Sequence, residues 1–543
     1  MHVNHNGHKP VHGTPETPFR MPLASRHVVV VGAGVGGLVS ALLLGAAGLR
    51  VTVVERGERA GGKLREIDVA GQGIDSGPTI FTMRWVFEAI FAAAGARLED
   101  HVGLTRAGVL ARHSFDDGSV FDLHADLEET VAAVERLAGP AEAKGYRAFC
   151  ERTEEVFHTL NGSFMEHPAP SPLGLARSSG IGGLAALSRI QPFTPLSTVI
   201  ARYFKDPRLR QLFGRYATYC GASPFHAPGP LMLIAHVERL GVWLVEGGMS
   251  RLAEALERLA TERGVVFRYG TDAAELTLGQ GRTTGVRLHS GEHLPADAVV
   301  FNGDPAALSA GLLGAPARTA LPSWPKRDRS LSAVTFSLRA RASGFPLSRH
   351  SVFFSRDYAS EFEDILVRKR LPEDPTIYVC AQDRDASNGP PPDGPERLFL
   401  LVNAPATGDS NPLSQAEIAS CERRVMERLA RAGLTMTDGL TPPVVTTPTQ
   451  FAAMFPGTGG ALYGRASRGW ASSFQRPNAR TKIAGLYLAG GAVHPGPGIP
   501  MAALSGRHAA VSLMADLAST APSRQAATSG GISMRSATTD ATP

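Results

Sequence analysis

Cysteine is scarce in this chain: four residues, Cys150, Cys220, Cys380 and Cys421, scattered over 543 positions. No CxxC pair occurs, so the sequence implies neither a zinc site nor a disulfide framework, and a reducing compartment is expected. Charge of one sign is also missing. The net charge is only +5, and no dense basic block appears although arginine far outnumbers lysine. A nucleic-acid partner is therefore not expected. The first 25 residues are rich in His, Pro and polar residues and lack the apolar centre of a signal peptide. They read as a disordered tail, as does the Ser/Thr/Ala-rich stretch 520–543. No internal repeat is present, and no metal site is expected.

One segment lacks charge altogether. Val28 to Leu49 carries no charged side chain and is long enough to cross a bilayer. Its glycines argue against that reading. A β-branched run, His27 to Val31, precedes Gly32-x-Gly34-x-x-Gly37, and a second β-branched run, RVTVVE, ends at Glu55. Strand, tight turn, helix and strand follow in that order. The first glycine makes the turn, the second lets the backbone approach a pyrophosphate, and the third lets helix pack on strand. The phosphates then sit on free N–H groups at the helix start. An acidic residue about 20 positions on should take ribose hydroxyls, and Glu55 is placed for it.

A chain this long exceeds one hydrophobic core, so two or more domains are expected. Residues 104 to 124 read as a hairpin turning at Asp116–Gly118, and Asp126 with Glu129 as a capping box. Between 161 and 235, Pro, Gly and Ser interrupt apolar stretches. There Leu209, Leu212, Phe213 and Tyr216 share one helical face, flanked by Arg208, Arg210 and Arg215. That face suits a core with a solvated basic side, or a helix lying on a bilayer. The stretch after Gly247-Gly248 reads as helix, strand, hairpin and buried strand (Ala298 to Phe301), returning to the first sheet. Residues 306–470 alternate β-rich segments with one strong helix near Gln415 to Ala432. The end, LYLAGGAVHPGPGIPMAALSGR, is strand, glycine turn, Pro-rich loop and helix.

Together Gly32–Gly37, Glu55-Arg56, Gly61-Gly62, DSGPTIFTMRWVFE and the closing VHPGPGIPMAALSG resemble FAD-dependent, phytoene-desaturase-type carotenoid enzymes. The bacterial branch of 1-hydroxycarotenoid 3,4-desaturases is the nearest. The likeness covers about Arg26 to Leu517. Lys63 stands where many flavin oxidases carry Arg, which loses the bidentate fork but keeps the charge. Ser76 stands where Ala is usual.

The resemblance implies a Rossmann-like α/β FAD-binding domain in three pieces (26–103, 236–305, 471–519). A sheet-containing substrate domain (104–235, 306–470), whose first part includes a helical membrane-facing region, interleaves with it. Gly32, Ala33, Gly34 and Gly37 would meet the diphosphate and Glu55 the adenosine ribose. Arg56, Gly62, Lys63, Pro78 and Thr79 would lie along the cofactor, with Ala273 at adenine. Gly490 and Gly491 would let the chain pass ribityl and phosphate, with Ile499, Pro500 and Met501 at the flavin ring. His494 is the titratable group of the closing motif, expected as the base or as a cap of its loop. FAD is expected to be non-covalent, since no Cys lies near that motif. The implied substrate is an acyclic hydroxylated C40 carotenoid, with oxygen or a quinone as electron acceptor. Such a polyene must come from a bilayer, so a cytoplasmic, peripherally membrane-bound protein docking through about 178–220 is expected. Two rivals share the architecture: other flavin enzymes (a carotenoid isomerase or an amine oxidase), and the prenyl-carrying Rab GDP-dissociation-inhibitor class.

Overall fold

The computed structural model describes residues 25–171, 190–386, 389–437 and 439–519. The uncharged run resolves as strand, turn and helix. His27–Val31 (β1) leads through Gly32 (φ +100°) into the helix Val35–Ala46 (α1), and Arg50–Val54 (β2) follows. β-branched residues bury both faces of β1, with Val28, Val29 and Val30 wholly inaccessible. Among the described residues no helix is long and apolar enough to cross a membrane.

Three later segments complete a parallel sheet: Val266–Arg268 (β3), Ala298–Phe301 (β4) and Leu486–Leu488 (β5). The order is β5-β4-β1-β2-β3. The helix α1 is apolar all round because it is enclosed by this sheet and two other helices. Pro140–Leu160 is α2, Ser250–Glu262 is α3 and Ile499–Ser519 is α4; α3 and α4 both pack on α1. Where α1 and α4 cross, a Cβ at Gly506 would lie 2.3 Å from the Gly36 carbonyl oxygen, so only glycine permits that approach. Leu252, Leu256 and Leu259 form the buried face of α3 at the spacing of its period. The start of α3 is fixed by Asp75, whose carboxylate accepts the Met249 N–H at 2.6 Å. Gly248 (φ +101°) brings the chain against that carboxylate.

The second sheet is mixed. Its order is Leu434–Thr437, Ser332–Gly344, Glu396–Ala404, Ile377–Ala381, His350–Phe353, Val109–Ser114 and Val120–His124, with Val444–Thr446 also on Ser332–Gly344. All pairs are antiparallel except His350–Phe353 with Val109–Ser114. The helix Gln415–Arg431 covers one face and begins with a full capping box, Ser414 with Glu417.

Several expectations need correction. The hairpin starts at Val109; Leu104–Arg106 pairs instead with Trp243–Val245, a distant partner. Asp126 does cap Leu127–Ala138, accepting the N–H groups of Glu128 and Glu129. Between Gly248 and Gly303 only β3 and β4 return to the first sheet; Ala273–Gly279, Arg282–Leu288 and His293–Pro295 form a separate three-stranded sheet. The helix Pro207–Gly214 is core rather than membrane surface. Leu212 and Phe213 are 3% and 1% exposed, in an aromatic cluster with Tyr146, Phe149 and Phe204. The first part of the docking stretch 178–220, residues 178–189, lies outside the described residues.

Candidate active site

A cavity of about 730 Å³ lies between the two sheets, and glycine loops form one end of it. This is the size of a small-molecule or cofactor site. Four chain turns converge there: Gly32–Gly37, Gly61-Gly62, Asn302–Asp304 and Gly490-Gly491. Their closeness leaves no room for side chains. A Cβ at Gly36 would come within 2.6 Å of the Gly490 nitrogen, and one at Gly34 within 2.7 Å of Asn302 Nδ2. Asn302 Oδ1 is buried at this centre without a hydrogen-bond partner; as an acceptor it suits a ligand hydroxyl or N–H, while Nδ2, beside Gly34, is the donor available to a phosphate oxygen.

Glu55 is held for its part. Its Oε2 accepts the Ala33 N–H at 2.7 Å and its Oε1 the Gly57 N–H at 2.8 Å. Each oxygen keeps a lone pair for a further donor. Gly490 is steadied by its N–H to Ser505 Oγ, 2.6 Å. The first turn of α4 opens on the cavity through Ile499, Pro500 and Met501, and first-turn N–H groups have no intrahelical acceptor. This cradle of bare backbone and free donors fits a dinucleotide diphosphate.

Of the residues singled out in the sequence, Gly32, Gly34, Glu55, Arg56, Gly62, Lys63, Pro78, Thr79, Ala273, Gly490, Gly491, Ile499, Pro500 and Met501 border the cavity. Ala33 and Gly37 lie just behind it. Ala33 anchors Glu55, while a Cβ at Gly37 would strike the Gly32 carbonyl at 2.1 Å, so Gly37 serves the close packing of helix on turn. His494 does not border the cavity. It is 2% exposed, and its Nε2 donates to the carbonyls of Phe164 and His167, each at 3.0 Å. Burial pushes its pKa down to about 4, so the ring is neutral at physiological pH.

Sequence reasoning missed other cavity groups. Asn302 and Arg476 belong here, as does Asp304. Arg476 donates to the carbonyls of Tyr463 (3.0 Å) and Arg465 (2.8 Å). Lys63 Nζ donates to the Leu462 carbonyl at 2.5 Å. Burial lowers the pKa of Lys63 and of Arg476 and raises that of Asp304. The only available signal was NGD directly after a buried strand, at the edge where ligands of such sheets bind. Arg215 was expected on a solvated face. It lines the cavity instead, because the helix tightens after Gly214 into the 3-10 turn Arg215–Cys220 and its face rotates. No metal site was expected; among the described residues Glu154, His158 and His236 have ligand atoms within 4.8 Å of one another, and none of the three borders the cavity.

Away from the glycine loops the wall becomes apolar, with Leu160, Phe164, Leu231, Ile234, Phe399 and Leu401. One chamber thus joins a cradle of bare backbone to an apolar compartment.

The profile of the family described as flavin containing amine oxidoreductase matches residues 35–514. A hydroxyneurosporene desaturase of Rubrivivax gelatinosus is 51% identical over 519 residues, covering 95% of this chain and 99% of that one. A 1-hydroxycarotenoid 3,4-desaturase of a Flavobacterium species is 30% identical, over 89% and 98% of the two chains. The solved structure of wild-type putrescine oxidase bound to putrescine superposes with a TM-score of 0.56 at 14% identity, over 90% and 99% of the two chains, and shares the fold. The chain belongs to the flavin-containing amine oxidoreductase family, among its carotenoid desaturases, and is a flavin-dependent oxidoreductase.

Proposed function

We propose that the protein holds FAD non-covalently and introduces the C3–C4 double bond into an acyclic 1-hydroxycarotenoid of the 1-hydroxyneurosporene type. The observation that carries this is the single chamber, with a diphosphate cradle at one end and an apolar wall at the other. The 1-hydroxycarotenoid 3,4-desaturase among the relatives supports the bond assigned. FAD supplies a hydride acceptor when bound.

The protein's own contribution is placement. The glycine turns and Asn302 hold the diphosphate, Glu55 takes the ribose, and Lys63 and Arg476 bring positive charge to the cofactor side. The first turn of α4 directs its N–H groups to the ring. The apolar wall aligns the polyene and excludes water. Forming the double bond also releases a proton. The positive charge left on a conjugated chain is spread over many carbons, so a weak acceptor suffices. His494 does not fill that role in this reading; it pins the loop 490–498 to the turn Asn161–Met165.

Cys220 borders the cavity, but burial pushes its thiol up to about 11, and a protonated thiol is a poor nucleophile for a flavin link. All yellow colour should therefore leave the protein on acid precipitation. The decisive experiment offers 1-hydroxyneurosporene in liposomes to the purified protein without oxygen. The flavin should bleach, and the product should be lighter by two hydrogens with the new bond at C3–C4. Bleaching with a product desaturated elsewhere would move the reading to another carotenoid desaturase; no bleaching would overturn it. Oxygen or a quinone then reoxidises the flavin.

A further inference from the structure

The apolar compartment contains a polar cluster that the diphosphate cradle does not use. Arg215 lines the cavity, and among the described residues it forms no ion pair with any carboxylate. Its guanidinium lies 5.5 Å from the ring centres of both Tyr219 and Tyr378, and its Nη1 is 3.3 Å from the Tyr219 hydroxyl. Glu238 lines the same wall, 6% exposed, and accepts the Tyr216 hydroxyl at 2.7 Å. The Tyr219 ring packs on that of Tyr216, 5.5 Å between centres, which sets its hydroxyl near Glu238 as well as Arg215. The Tyr378 hydroxyl meets Thr79 Oγ1 at 2.6 Å and His350 Nδ1 at 2.7 Å. These groups come from separate elements: the turn Arg215–Cys220, the helix Leu233–Leu240, the strand Ile377–Ala381 and the segment at Thr79.

Polar groups facing an apolar chamber are costly unless a partner satisfies them. A hydrocarbon polyene offers none. A hydroxyl offers one donor and two acceptor sites, the complement of a carboxyl beside a guanidinium. Burial pushes the Glu238 pKa up, which suits a hydrogen-bonding carboxyl more than a full counter-ion to Arg215.

The position also fits. Thr79 lies two residues beyond Gly77, whose added Cβ would touch the Lys63 carbonyl at 1.9 Å. Through Thr79 and Tyr378 the cluster reaches the cofactor side of the cavity. In a 1-hydroxycarotenoid a single carbon separates the hydroxyl-bearing C1 from C3. Whatever grips that hydroxyl must sit beside the reacting bond.

We propose that Arg215 and Glu238, with Tyr219 beside them, bind the tertiary hydroxyl at the reacting end of the substrate and so select hydroxylated over hydrocarbon carotenoids. This rests on the carotenoid-desaturase reading above and names the residues that set its substrate class. A pocket built to bond a hydroxyl discriminates strongly against an analogue without one, because its buried polar groups are then left unpaired.

The test uses the full-length flavin-loaded protein with Arg215→Met, Glu238→Gln and Tyr219→Phe, and the pair 1-hydroxyneurosporene and neurosporene. Two quantities are read: kcat/KM, and carotenoid affinity from quenching of protein fluorescence, which needs no turnover. Wild type should bind and desaturate the hydroxylated carotenoid better. Arg215→Met should lower kcat/KM and affinity for it by about tenfold or more, with the hydrocarbon values and flavin content unchanged. Tyr219→Phe should show a smaller loss of the same kind, and decides the matter if Arg215→Met does not fold. Equal loss for both carotenoids, loss of flavin, or a wild type that binds both equally would overturn the proposal. A wild type that prefers the hydroxylated ligand in binding but desaturates neither would instead count against the proposed reaction while leaving the hydroxyl site standing.

Discussion

At the scale of single residues, the cofactor end depends on positions where a side chain cannot fit. Gly34 has φ −72°, so its backbone would accept any residue, and the obstacle is Asn302 Nδ2, 2.7 Å from where a Cβ would be. Gly34→Val should therefore fold and lose its flavin, read as flavin per protein beside an unchanged circular dichroism spectrum. Full flavin occupancy would refute the assignment of the diphosphate.

His494 makes a contrasting prediction. Its folded pKa of about 4 lies below histidine's ordinary 6.5. The unfolded chain then binds more protons between those values, so stability falls as pH drops from 6.5 towards 4. His494→Leu should flatten that slope. It should also cost about 1–3 kcal/mol through two carbonyls left unpartnered. The flavin-loaded fraction should keep its kcat/KM. A drop of about hundredfold or more, the scale of a lost general base, would return His494 to the chemistry.

At the scale of elements, local pattern made some features legible and distant pairing hid others. The strand–turn–helix at His27–Ala46 could be read because each part carries its own signal: β-branched residues, spaced glycines, an apolar run. The helices Gln415–Arg431 and Ser250–Glu262 could be read from their period. Pairing of Leu104–Arg106 with Trp243–Val245 could not, since three residues carry no register and their partner is far along the chain. The same holds for Val109–Ser114 lying parallel to His350–Phe353. In the cavity, the glycine turns were legible as motifs. Arg215, Glu238 and Tyr378 were not, because tertiary folding alone brings them together.

The helix Pro207–Gly214 shows the limit of periodicity, which gives a buried face without saying what buries it. Phe213 stacks on Phe204 and packs against Phe149 at 4.8 Å. Phe213→Ser should cost about 3–5 kcal/mol, comparable with much of a domain's stability. Aggregation and flavin loss are expected, seen by thermal melting. A well-folded variant with weaker liposome binding would return this helix to the membrane.

At the scale of the whole molecule, a substrate that lives in a bilayer predicts a surface that docks on one. Phe193, next to the stretch 172–189, is 72% exposed, and Val367 is 70% exposed. Singly exposed apolar side chains are ordinary on a protein surface, so a docking role for Phe193 rests on its substitution. Phe193→Ser should weaken sedimentation with liposomes while flavin content stays constant, and carbonate at high pH should strip the wild type from membranes. Retention in the pellet after carbonate would contradict peripheral attachment.

The sheet behind the glycine turns is assembled out of order. β1 emerges first from the ribosome, yet its sheet closes only when Leu486–Leu488 joins on the far side of β4. The helix α1 waits as long for α4, whose Gly506 must reach Gly36. β2 and α3 can cover one side of the apolar stretch earlier, but its glycine cradle lacks the Gly490-Gly491 wall until the last elements are made. Translation at about 5–20 residues per second makes that interval tens of seconds. The cradle can therefore be complete only once those last elements are in place. The glycine turns made first are thus completed by the elements made last.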